Sequence, residues 1–184
     1  MSEFTYPFTI DNGGGEKITF LRRVPSPEGE YIEVENHVQP GSGPPMHVHF
    51  KQVESLTVIK GKLGSQVLGK EVTYHYEGET ITYDAGVTHK FWNAGDEVLL
   101  CTGKVMPPHN LEFFLSEIFR STKESGGKRP GTFDVAFLLH RYRSEFDMLE
   151  IPVFVKKVVF PVVLFLGRFF GKYEKFKNAP EPVK

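Results

Sequence analysis

The sequence predicts a mainly β domain over residues 1–107 followed by a helical extension over residues 108–184. Two observations carry this expectation. Short β-branched and aromatic runs alternate with turn residues through the first part, and apolar residues fall at helical spacing in the second. A total of 184 residues leaves room for one compact domain plus an extension, not for two full domains.

In chain order, the expected strands are Ile18–Leu21, Tyr31–Val34, Leu56–Ile59, Val72–Tyr76, Thr80–Tyr83 and Val98–Val105. Turn-forming stretches separate them: Asp11–Glu16, Pro25–Gly29, Pro40–Pro45, Gly61–Gly64 and Asn93–Asp96. Many short strands at this spacing argue for a sandwich or barrel. Beyond residue 108 a first helix is expected to carry Leu111, Phe114, Leu115, Ile118 and Phe119, with Asn110 as its cap. Ser121–Arg129 reads as a loop. Thr132 should cap a second helix over Phe133–Tyr142, with Asp134 in its first turn. A third apolar segment runs from Ile151 to Phe169, and Pro161 should kink it by removing a backbone donor. The polar residues from Glu174 onward are expected to fray.

Composition narrows the function classes. Lys plus Arg number 22 against 23 Asp plus Glu, so no global field favours nucleic acid. The single cysteine, Cys101, excludes an intramolecular disulfide and reads as a small core residue. The stretch Met1–Tyr6 carries no basic segment leading into an apolar run, and the apolar run Val158–Leu166 is too short to span a bilayer. The expected location is therefore cytoplasmic.

The chemistry is concentrated in His47-Val48-His49. Side chains two apart on a strand share a face, so the two imidazoles form half of a metal site. Glu54 follows His49 at an odd interval, which requires a turn or bulge around Phe50–Gln52 before it can face the same interior. His89 arrives on a later strand as a third nitrogen. An H-x-H pair alone is more often a surface or structural feature than a site, and the surrounding frame decides. That frame resembles the cupin superfamily, whose motifs read G-x5-H-x-H-x3–4-E-x6-G and G-x5-P-x-G-x2-H-x3-N. Gly41, His47, His49, Glu54 and Gly61 fit the first; Gly78, Gly86, His89 and Asn93 fit the second, with Asp84 where proline is usual.

The resemblance implies a jelly-roll barrel (a double-stranded β-helix) and one divalent transition metal, iron, manganese, nickel, cobalt or zinc, held by His47, His49, Glu54 and His89. It implies turn positions at Gly41, Gly61, Gly78 and Gly86 and a structural turn at Asn93. Four protein ligands on an octahedral ion leave two adjacent positions for water, dioxygen or a chelating substrate. Alternation turns Leu56, Val58 and Phe91 inward, as cavity lining or as plain core, and gives an apolar interior suited to a small, partly apolar molecule. Gln52 stands near the site either as an orienting group or as a solvated loop residue. No general base is identified. The expected function is a metal-dependent enzyme of the non-haem oxygenase type. A binding or sensor module and a metal-dependent isomerase or lyase are the alternatives. For the tail, packing on the barrel or in a homodimer is favoured over contact of the C-terminal helix with a membrane surface.

Overall fold

The computed structural model describes residues 4–184. Two antiparallel sheets face each other. The first contains β1 (Phe8–Asp11), β2 (Glu16–Ser26), β3 (Gly29–Val38), β10 (Leu99–Met106), β5 (Val53–Lys60) and β8 (Thr80–Tyr83), in that spatial order. The second contains β11 (Phe146–Met148), β4 (His47–His49), β9 (Thr88–Asn93), β6 (Leu63–Val67) and β7 (Thr73–His75). The arrangement is a jelly roll. The expected barrel needs one correction: among the described residues no ladder joins the two sheets, so they stack without closing.

Alternation along the strands places the core. Glu54, Leu56 and Val58 on β5 share an inward face with Val105, Gly103, Cys101 and Leu99 on β10, and with Ile32, Val34, Asn36 and Val38 on β3. One end of this interior forms a cluster of Val38, Leu56, Val58, Leu63, Tyr83, Phe91, Leu99 and Cys101. The other end is continuous with the helices: Ile18, Phe20, Ile32, Val34 and Val105 pack with Leu111, Phe114, Ile118, Leu138 and Phe146. Each fully buried aliphatic or aromatic side chain contributes about 1.5–3 kcal/mol relative to exposure.

Three strands are absent from the expected set. β6 lies partly where Gly61–Gly64 reads as a turn. Gly64 is in the ladder between Tyr74 and Trp92, and it is glycine because the Trp92 ring lies over it: a Cβ there would meet that ring at 2.4 Å. β1 is a short edge strand. β11 lies inside the segment expected to be helical and adds to the second sheet beside β4.

The helices are α1 (Leu111–Glu124), α2 (Thr132–Arg141) and α3 (Phe160–Phe169). α1 runs into the expected loop as far as Glu124; within that stretch the Thr122 hydroxyl donates to the Ile118 carbonyl and the Ser121 hydroxyl accepts from Gly131 N–H. Asn110 occupies the cap position without capping; its amide donates to Glu145 Oε1 at 2.7 Å and to the Glu181 carbonyl. Gly131 takes the cap position before α2, so Thr132 is the first helical residue. Asp134 is in the first turn and pairs with Lys175. Ahead of Pro161 the backbone widens into a π-helical stretch, Val155–Val159, which accommodates the missing donor without a break. Residues after Glu174 do not fray. The Pro180 carbonyl accepts from the Tyr142 hydroxyl, the Val183 carbonyl from the Ser144 hydroxyl, and Val183 N–H donates to Glu145.

Candidate metal centre

The site is assembled from both sheets. β4 is three residues long, and its middle residue Val48 faces away, so His47 and His49 project to one side. β9 pairs with β4 in a register that puts His89 directly opposite His47. On the other side of β4, β11 sets Phe146 opposite His49 and Met148 opposite His47. The odd spacing to Glu54 now has its reason. Between His49 and Val53 the chain leaves the second sheet for the first, and Glu54 returns across the interior to face the histidines.

One donor atom from each of His47, His49, Glu54 and His89 lies within 4.8 Å of the others. His47 Nε2 is 3.0 Å from His49 Nε2. Glu54 Oε2 is 3.0 Å from His89 Nε2 and 3.6 Å from His49 Nε2. The far side of two rings is fixed by backbone. His47 Nδ1 donates to the Pro45 carbonyl at 2.8 Å, and His89 Nδ1 donates to the Val87 carbonyl at 2.9 Å. In the neutral ring a protonated Nδ1 leaves a lone pair on Nε2. The lone pairs of His47 and His89 thus converge with the Glu54 carboxylate on one point. A proton or a cation between them relieves that crowding of acceptors, and the donor set fits a divalent ion.

The electrostatics agree. Burial, with the neighbouring imidazoles adding, depresses His47 to about 3. Burial likewise lowers His49. Burial alone would raise Glu54, but its close contact with the His89 ring and the surrounding imidazoles outweighs it and holds Glu54 at about 2. Near neutral pH the group therefore offers neutral imidazole at His47 and His49 and an ionised carboxylate, the forms that ligate metal.

Supporting contacts orient the donors. The Tyr83 ring stacks on His89 at 3.7 Å between centroids, and its hydroxyl is hydrogen-bonded to Ser65 at 2.7 Å. Phe146 stands edge-on to His49 at 5.5 Å. Gly86 N–H donates to the His49 carbonyl at 2.7 Å. The turn before β9 closes from Val87 N–H to the Asp84 carbonyl, a bond that Asp84 makes as well as proline would. Gly41, Gly61, Gly78 and Gly86 all have positive φ. The Asn93 amide donates to the Val38 and Glu97 carbonyls and its oxygen accepts from Gly95 N–H, closing the turn after β9.

Leu56, Val58 and Phe91 are buried in the cluster beside the donors. Gln52 is fully buried, not solvated; its oxygen accepts from Lys51 N–H at 3.3 Å and its nitrogen has no partner among the described residues. Three groups escaped sequence reasoning. Tyr83 and Ser65 carry no motif. Glu16 is buried on the inward face of β2 with Ile18 and Phe20, and the simple alternation Glu16-Lys17-Ile18 was the available signal. Burial, with the charge of Glu54 adding, raises Glu16 to about 7.

The chain is similar to known proteins over part of its length. Residues 34–102 match the cupin domain profile. A probable oxidoreductase, virH of Hypocrea virens, is 40% identical over 52 residues, which are 28% of this chain and 24% of that protein. The chain thus matches about a quarter of that relative's length. The oxidoreductase iacF of Pestalotiopsis fici is 27% identical over 145 residues, covering 70% of this chain and 71% of that one. Among solved structures, an uncharacterized conserved protein with a double-stranded β-helix domain from Klebsiella pneumoniae is 23% identical with a TM-score of 0.45. That alignment covers 51% of this chain and 74% of that one.

Proposed function

Residues 34–102 form a cupin domain, and from that premise we propose that the protein is a metal-dependent oxidoreductase of the non-haem oxygenase type. The observation that carries the proposal is the convergence of four possible ligand atoms, three imidazole nitrogens and one carboxylate oxygen, within 4.8 Å. The oxidoreductase names of both relatives support the same class. His47, His49, Glu54 and His89 would hold one divalent transition metal, which when bound supplies Lewis acidity and, if redox-active, access to dioxygen chemistry.

The chain's own residues set what reaches that point. Leu56, Val58, Phe91 and Tyr83 make the surroundings apolar and exclude bulk water, which suits a small, partly apolar substrate. The unpartnered Gln52 nitrogen is a donor available to orient a polar atom of such a substrate. The test is dioxygen consumption by the Fe(II)-loaded protein against a panel of small phenols, enols and 1,2-dicarbonyl compounds. Uptake that depends on both iron and substrate supports the reading. Tight metal binding with no uptake for any member would move the protein to the binding modules.

Glu16 favours a second reading. Glu16 lies on the inward face of β2 and feels the charge of Glu54, and a carboxyl whose proton is held more tightly there is the type of group an isomerase or lyase requires. In that case substrate would exchange a carbon-bound hydrogen with deuterated solvent without consuming dioxygen, and Glu16→Gln would abolish the exchange. Exchange unaffected by Glu16→Gln would dismiss Glu16 from this role.

A further inference from the structure

We propose that the exposed face of the helical run from Val153 to Phe169 docks on the surface of an anionic lipid bilayer. The run buries one side only. Phe160, Leu164 and Gly167 face the protein, with Val155 and Val163 beside them, while Phe154, Val158, Val162, Phe165, Leu166 and Phe169 are exposed. Phe165 is 69% exposed and Phe169 76%, far outside what scattered surface apolar residues require. At 100° per residue Pro161, Phe165, Phe169 and Val162 form one stripe opposite the buried side. Phe170 extends the stripe past the helix end. The run is about 25 Å long at 1.5 Å per residue, and no helix of the described chain is long and apolar enough to cross a membrane. The geometry is that of a helix lying in the interface plane.

Charge selects the occupant. Between Ile151 and Tyr173 the sequence has four basic residues and no acidic one. Lys156 is neutralised by Asp147 at 2.6 Å. Lys157, Arg168 and Lys172 are exposed and form no ion pair among the described residues. The exposed acids Glu150 and Glu174 lie just outside the run. A second copy docked through the same face would set six free cations, three from each copy, around the apolar stripe, with only Glu150 and Glu174 at its ends to offset them. An anionic headgroup layer supplies the missing charge at the height of the lysines and takes the phenylalanines below it.

The experiment is co-sedimentation of the full chain with vesicles of phosphatidylcholine and phosphatidylserine in equal parts, and with phosphatidylcholine alone. Wild type should partition at least about tenfold more strongly onto the anionic vesicles, and 1 M salt, which shortens screening to about 3 Å, should remove most of that preference. Phe165→Glu/Phe169→Glu should bind at least about tenfold more weakly with an unchanged thermal midpoint. Lys157→Glu/Arg168→Glu should lose the preference for anionic lipid, a second route should the first variant fold poorly. Failure of wild type to bind, or equal binding to both vesicles at low salt, overturns the proposal. So does a dimer in light scattering that Phe165→Glu/Phe169→Glu converts to monomer. None of these outcomes depends on whether the histidine cluster holds metal.

Discussion

Strand β4 and helix α3 are opposite solutions to the same problem. β4 has only three residues, yet it is paired on both sides, by β9 and by β11, and both its faces are used. α3 is more than three times as long and leaves half its circumference bare. The difference teaches where this chain invests rigidity. Donor atoms must be held to fractions of an ångström, so the strand that carries two of them is locked from every side. A surface that meets a fluid partner needs only the right stripe and charge.

The sharpest way to break the comparison is to loosen β4 from the C-terminal side. Phe146→Ala removes a ring that packs against both His49 and Phe114. It should destabilise by about 3–5 kcal/mol in urea denaturation and weaken metal affinity by roughly 10–100-fold. Loss of stability with unchanged affinity would mean that β11 does not position His49. Next in size is Glu145, fully buried, whose carboxylate accepts from Asn110 N–H, the Asn110 amide and Val183 N–H. Glu145→Ala should cost about 2–4 kcal/mol, because three donors lose their acceptor, and should expose the C-terminal tail to protease. A tail that stays resistant would refute its docking through Glu145.

Glu16 offers a pH-resolved test on metal-free protein. Its folded pKa of about 7 lies above the ordinary 4.5, so the folded state binds the extra proton. Stability from this group is therefore present below pH 4.5 and lost as pH rises through 7, up to about 3 kcal/mol in all. His47 and His49, depressed by burial, act in the opposite sense: they lose stability as pH falls below 6.5. The difference between wild type and Glu16→Gln isolates the first effect. Wild type should lose stability relative to the variant between pH 4.5 and 7. A flat difference would show that Glu16 is solvated. The smallest expected effect is on α3, where Phe165→Glu alone should shift stability by no more than about 0.5 kcal/mol. A larger loss would mean the face is covered within the protein.

The four converging side chains were legible because their spacing resembles the two cupin motifs. His47 and His49 two apart, Glu54 after a crossover and positive-φ glycines at the turns are local facts that a sequence displays. The sheet core followed from alternation: Leu56, Val58 and Phe91 are where period two puts them. What escaped depends on contacts distant in sequence. Gly64 marks space for the Trp92 ring and not a turn, and β11 is a strand through its pairing with β4, nearly a hundred residues away. Asn110 gave up its cap for Glu145, thirty-five residues away. The tail after Glu174 is held by Tyr142 and Ser144, partners its own polarity does not advertise.

The central claim is that His47, His49, Glu54 and His89 form a metal centre. Its most direct test is the metal content, by mass spectrometry, of protein purified without affinity-tag nickel and then offered iron, manganese, nickel, cobalt and zinc in turn, beside a His47→Ala/His89→Ala variant. Near-stoichiometric uptake of at least one ion by wild type, lost in a variant that still folds, is the predicted result. A folded wild type that binds none of the five, or a variant that binds equally well, would contradict it.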